Sequence, residues 1–127
     1  MNSEEMVRLC RQHTMYTWSI QGEVDPIPVE RTEGVYMYTP DGERLLDFNS
    51  QLMCVNIGHG HPRVREAMKA QIDTLTYAFP GTATEVRARL GKMLAELAPE
   101  HLNTFFFTLG GADANENAIK MARLYTG

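Results

Sequence analysis

Phe107-Thr108-Leu109-Gly110-Gly111-Ala112-Asp113-Ala114-Asn115-Glu116 is the most informative stretch of the chain. It continues a run, Thr104-Phe105-Phe106-Phe107-Thr108-Leu109, of aromatic and β-favouring residues with no polar face. Such a run predicts a strand covered on both sides, as in a parallel α/β sheet. Two glycines then lead directly into a helix with Ala114, Ala118 and Ala122 on one face and Glu116 and Lys120 spaced for an ion pair on the other. A strand-glycine-helix junction aims unpaired backbone N–H groups and the positive end of a helix dipole at one point. With no Cβ in the way, a phosphate can approach that point closely. The same glycines also suit a junction that needs them for backbone geometry alone. The spacing is not GxGxxG, and no Gly-Lys-Ser/Thr is present, which excludes a Walker A loop. Asp113 suits the helix dipole but repels a phosphate if it points the same way, so a phosphate site requires it to face aside.

Upstream, two amphipathic helices are expected. One starts after Gly58-His59-Gly60-His61, with Pro62 at its first position and Val64, Ala67, Met68, Ile72 and Leu75 on one face. The other is expected to open with a capping box, Thr82-x-x-Glu85, to bury Val86, Leu90, Met93, Leu94 and Leu97, to pair Glu85 with Arg89, and to stop at Pro99. Both apolar stripes read as core or interface. Residues 35–48 predict a β-hairpin, with Val35-Tyr36-Met37-Tyr38 and Leu45-Leu46-Asp47-Phe48 as its arms. The Thr39-Pro40-Asp41-Gly42 turn joins them, Pro presetting φ and Gly accepting a positive φ. Glu33-Gly34 predicts a further turn. Met15 to Val29 holds Pro26 and Pro28 and reads as an extended segment, with Trp18 as its packing anchor. Ser3 is expected to N-cap a first helix containing Met6, Leu9, Cys10 and His13. A single covered strand cannot complete a sheet, so the organisation reads as a domain interrupted after its first β-α unit.

The chain has 127 residues, 43% hydrophobic and 22% charged, with a formal net charge of −4. This places it among globular chains and argues against a nucleic-acid binder, which needs a basic stripe. No apolar run is long enough to span a membrane, and the acidic N-terminus does not read as a signal peptide. Cys10 and Cys54 stand far apart without a CxxC, so the expected location is cytoplasmic with reduced thiols. His59-x-His61 lacks clustered partners for a metal and reads as a structural loop. Asp47 is expected to pair with Arg44 or to cap a nearby turn. The three lysines, Lys69, Lys92 and Lys120, all fall on polar helix faces and read as solvated.

In order along the chain, several blocks resemble the N-terminal part of class III pyridoxal-phosphate (PLP) aminotransferases. This fold-type I family includes ω-amino acid:pyruvate and 4-aminobutyrate aminotransferases. Val29 to Tyr36 and Asp41 to Phe48 are similar to its opening hairpin, Asn56 to Pro62 to its loop into the large domain, and Phe107 to Arg123 to its phosphate-binding strand-turn-helix. The resemblance implies an α/β, PLP-dependent transferase-like fold, incomplete here. Residues 1–60 would hold the N-terminal helix and hairpin of a small domain. Residues 61–127 would hold the first helices, strand and helix of the large PLP-binding domain.

It also implies pyridoxal 5′-phosphate as cofactor, with Gly110, Gly111 and Ala112 forming the phosphate cup. The family usually carries Ser-Gly-Ser/Thr there, so this cup relies on N–H groups and lacks up to two hydroxyl hydrogen bonds of about 1–3 kcal/mol each. Leu52 and Met53 match a stretch lining the substrate pocket, and Tyr77 and Phe79 a region near the active site of the family's homodimer. The implied substrates are an amine or ω-amino acid and a 2-oxo acid. The lysine, acid and ring-stacking aromatic that PLP chemistry needs lie, in the family, beyond the position of Gly127. The expectation is therefore the N-terminal portion of a PLP-dependent aminotransferase, inactive by itself. The alternative is a non-catalytic truncated remnant or a docking subunit of a split PLP enzyme.

Overall fold

The computed structural model describes residues 1–127. The chain forms two compact units, Met1–Thr76 and Tyr77–Gly127.

In the first unit, α1 (Ser3–His13) is followed by β1 (Arg31–Glu33), β2 (Tyr36–Tyr38), β3 (Arg44–Leu46), a single turn α2 (Ser50–Met53) and α3 (Pro62–Thr74). The helix cap lies one residue earlier than expected. Asn2 takes the N-cap position and accepts the Glu5 N–H at 2.9 Å, leaving Ser3 as the first helical residue. An Asn side chain at N-cap satisfies an otherwise orphaned amide as well as a serine does.

The hairpin forms as expected. β2 and β3 pair antiparallel, Met37 opposite Leu45, around a turn in which Gly42 has φ 88. The sheet has a third strand that the sequence pattern did not announce: β1 pairs antiparallel with β2, Thr32 opposite Met37. Its three residues are polar and exposed, so no apolar alternation marks it. The guanidinium of Arg31 stacks on the Tyr38 ring at 3.5 Å and that of Arg44 on the Tyr36 ring at 4.5 Å, binding each edge strand to the middle one. Beyond the sheet, Gly34 and His59 form an isolated antiparallel bridge, with the His59 N–H donating to the Gly34 carbonyl at 2.7 Å. The approach requires glycine at 58, where a Cβ would stand 3.2 Å from the Gly34 carbonyl oxygen and φ is 85.

Residues 15–29 form no helix or strand, as expected. Trp18 is not the anchor it was expected to be: it is 89% exposed, in a turn where its own φ is 59.

In the second unit, α4 (Glu85–Leu97) precedes α5 (Gly111–Thr126). The cap of α4 is Thr84, which accepts the Arg87 N–H, and not Thr82. Thr82 instead donates its hydroxyl to the Phe79 carbonyl at 2.7 Å and closes the preceding turn. α4 ends two residues before Pro99, and Glu85 pairs with Arg89 at 3.2 Å. The expected Glu116–Lys120 pair on α5 does not form, although Lys92 pairs with Glu96 on α4. At fully solvated positions the entropy of two long side chains offsets the Coulomb gain, so such pairs form or not with little energetic consequence.

The stretch 104–109 departs from expectation. It makes no strand ladder, because the only sheet of the chain is β1-β2-β3. Nor is it covered on both sides: Phe106, Phe107 and Leu109 are exposed. A strand is defined by its partners, and none of the other residues here supplies one. The stripes on α3 and α4 are largely exposed, Met68 and Met93 among them, so within this chain they form no core. Met37 and Thr39 are the two buried residues. The accessible surface is 11165 Å². A self-sufficient folded chain of this mass would expose about 6,800 Å².

Candidate functional site

The cup residues sit where a helix begins. Gly110 is the N-cap of α5 and Gly111 its first residue, and no side chain caps this end. The first amide of the region to find an acceptor is that of Ala114, bonded to the Gly110 carbonyl at 3.0 Å. The N–H groups of Gly111, Ala112 and Asp113 donate to no protein oxygen, and the Asp113 carboxylate accepts none of them. Three orphan donors at the positive end of a 16-residue helix are a favourable setting for an anion. Backbone geometry demands glycine at neither position. Gly110 is extended at φ −173, a conformation open to any residue, and Gly111 is helical. A Cβ added at either would meet nothing within 4 Å, so what glycine leaves there is open approach to the amides. Thr108 turns its hydroxyl to the Gly110 carbonyl at 3.2 Å.

Of the residues matched to a substrate pocket, Leu52 and Met53 lie in the first unit, on α2; Tyr77 and Phe79 lie in the second, with the cup. Tyr77 is 77% exposed and Phe79 65%. Phe79 shapes the turn that leads to α4, its carbonyl accepting the N–H and hydroxyl of Thr82. The cleft lined by Pro80, Arg87, Gly91 and Asn103 to Phe107 contains none of the expected site residues.

α2 is unusual. Ser50, Gln51, Leu52 and Met53 all have positive φ, from 49 to 62, and the core pair Gln51 and Leu52 lies in the left-handed helical region. The turn is closed by Met53 N–H to the Asn49 carbonyl and Cys54 N–H to the Ser50 carbonyl, both at 2.9 Å. Residues with a Cβ lose about 1–2 kcal/mol each in this conformation.

Asp47 makes no pair with Arg44. Arg44 is occupied by the Tyr36 ring. The Asp47 carboxylate instead meets His59 Nε2 at 2.7 Å and accepts the Gln51 N–H at 3.2 Å, so that it does cap the nearby turn. The His59 partnership, twelve residues away in sequence, carries no local signal. Burial by itself pushes the Asp47 carboxyl up. The hydrogen bonds from His59 and from the backbone and side chain of Gln51, with the His59 charge, outweigh it and hold the group below its ordinary value. The three lysines are solvated as expected: Lys69 pairs with Glu66 at 3.0 Å, Lys92 with Glu96, and Lys120 is exposed.

The family model for class-III aminotransferases matches residues 19–127. The taurine:2-oxoglutarate aminotransferase of Bifidobacterium kashiwanohense, solved with PLP and glutamate, is 41% identical with a TM-score of 0.90, covering 100% of this chain and 28% of that one. The acetylornithine aminotransferase of Methanocaldococcus jannaschii is 39% identical over 110 residues, 87% of this chain and 27% of that protein. The glutamate-1-semialdehyde 2,1-aminomutase of Heliobacterium modesticaldum is 37% identical over 103 residues, 81% of this chain and 23% of that protein. The chain thus spans about a quarter of the length of the relatives it matches. No helix is long and apolar enough to cross a membrane.

Proposed function

Because this chain belongs to the class-III aminotransferase family, we propose that it contributes the cofactor-phosphate cup and part of the substrate wall of a pyridoxal 5′-phosphate-dependent aminotransferase. The reaction moves an amino group from an amine or ω-amino acid to a 2-oxo acid. One observation carries the cup: the unengaged amides of Gly111, Ala112 and Asp113, beside two glycines that the backbone does not require. These residues fit a phosphate monoester, whose charge the helix end favours. Gly110, Gly111 and Ala112 hold it by backbone donors alone. When bound, pyridoxal phosphate supplies the electron sink and carries the amino group between donor and acceptor.

In this reading residues 1–60 belong to a small domain and 61–127 open the large one. Leu52 and Met53 present apolar surface to the substrate. Tyr77 and Phe79 stand near the active site of a homodimer. The run Phe105 to Phe107, with Phe106 and Phe107 exposed, is where neighbouring strands of the large domain lie. That exposure also favours the second reading, a non-catalytic docking subunit, since a second polypeptide could supply the same strands. The gene sequence beyond the codon for Gly127 separates the two: an open frame reaching a further buried lysine favours the enzyme, a stop the docking subunit.

Borohydride treatment of the chain mixed with pyridoxal 5′-phosphate tests the site. Only scattered, substoichiometric labelling of Lys69, Lys92 and Lys120 is expected, since each is solvated. A stoichiometric adduct on one of them would overturn the assignment of this chain to the phosphate side of the site alone.

A further inference from the structure

The side chains of Asp47 and His59 are 3% and 9% exposed, in a chain with few buried residues, and the proposed function uses neither. Asp47 is fixed at the end of β3, its N–H donating to the Val35 carbonyl at 2.9 Å. His59 is fixed through its two-way backbone bridge with Gly34. Between these anchors the carboxylate divides its oxygens, Oδ2 to the His59 ring and Oδ1 to the Gln51 N–H. Gln51 is the second residue of α2, in which none of the four left-handed residues is glycine or asparagine. Such a turn persists only where its surroundings over-determine it. Gln51 provides both ties to the sheet: its N–H to Asp47, and its Nε2 to the sulfur of buried Met37 at 3.0 Å.

We propose that Asp47 is a positioning residue: backed by His59, it clamps α2 in its left-handed form and thereby sets where Leu52 and Met53 stand. The role toward substrate rests on the reading of Leu52 and Met53 given above; the clamp does not. Asp47 itself need touch neither substrate nor cofactor.

Residue-resolved hydrogen exchange of the full 127-residue chain tests the clamp. In Asp47→Ala the amides of Gln51, Met53, Cys54 and Val55 should exchange about tenfold faster, with Thr39, whose N–H bonds to the Glu43 carbonyl beside the sheet, changed less than about twofold. His59→Ala should act in the same direction, and His59→Gln, whose amide can still donate to the carboxylate, should restore protection. Unaltered exchange at 51–55 in Asp47→Ala overturns the proposal. If Asp47→Ala releases the whole sheet, the two His59 variants decide: equal exchange in both overturns it, and protection recovered in His59→Gln alone upholds it. Binding of β-alanine, a probe for the ω-amino acid class, is read by saturation-transfer NMR in Asp47→Ala and in Met53→Ala. Weakened binding in both supports the positioning role. A loosened α2 with β-alanine binding unchanged in both variants removes the substrate wall and leaves the clamp. Binding weakened by Met53→Ala with α2 exchange unmoved by Asp47→Ala removes the clamp and leaves the wall.

Discussion

Met37, in the middle strand of the first unit, is 7% exposed; Phe106, in the second, is 64% exposed. The two regions around them hold their chains by different means. Between Arg31 and His59, hydrogen bonds join distant residues: Asp47 to His59 across twelve positions, Gln51 to Met37 across fourteen. Between Tyr77 and Gly127 no bond outside the helices reaches further than the one from Arg87 to the Pro80 carbonyl, seven positions away. The first region is specified by tertiary contacts made within the chain. The second is specified locally, by caps and helix bonds, and leaves its aromatic residues without cover. The proposed cup therefore stands on a helix whose order is local, whereas the turn bearing Leu52 and Met53 joins a small buried network.

Truncating the two residues named first gives the largest contrast. Met37→Ala should cost about 2–4 kcal/mol of sheet stability in a urea titration followed at β2 amides. Phe106→Ser should change stability by less than about 0.5 kcal/mol and raise solubility, because it removes exposed apolar surface. Equal losses would erase the distinction. Acid separates the regions next. The folded Asp47 carboxyl titrates below its ordinary value, so its contribution is full above about pH 4 and is lost as pH falls through the lower, folded value. Exchange at Gln51 and Cys54, corrected for intrinsic rate, should accelerate there while α5 helicity does not change.

Restoring a hydroxyl to the cup should have a smaller effect. Ala112→Ser should tighten pyridoxamine 5′-phosphate by about 1.5 kcal/mol, roughly tenfold, in equilibrium dialysis. The smallest expected change is local: Thr84→Ala should lower the stability of α4 by about 1 kcal/mol, read from helicity against temperature, and leave the sheet untouched.

The same contrast explains what the sequence disclosed. The hairpin was legible because Thr39-Pro40-Asp41-Gly42 is a local instruction, and the helices because their stripes and Pro62 and Pro99 are local too. Caps shifted by one or two residues where two candidates compete, Asn2 against Ser3 and Thr84 against Thr82. β1 stayed hidden because Arg31-Thr32-Glu33 has no apolar face. The left-handed α2 stayed hidden because Ser50 to Met53 contains no residue that favours positive φ, and His59, which backs the Asp47 carboxylate beneath it, lies twelve residues from Asp47. Thr104 to Leu109 announced a strand by composition, yet a ladder needs a neighbour that composition cannot supply. Gly110 and Gly111 were legible as a cup or as a junction that needs glycine for its geometry alone, and their backbone angles, open to any residue, remove the second reason. Leu52, Met53, Tyr77 and Phe79 came from the resemblance, since exposed apolar side chains have no chemical signature of their own.

The most direct measurement is a residue-resolved amide NMR titration of the chain with pyridoxamine 5′-phosphate, which forms no lysine imine, against pyridoxamine, which lacks the phosphate. Saturable shifts confined to Gly110, Gly111, Ala112 and Asp113, present with the first compound and absent with the second, are the expected result. Shifts that ignore the phosphate, or that fall elsewhere while these four amides stay still, would contradict the cofactor site.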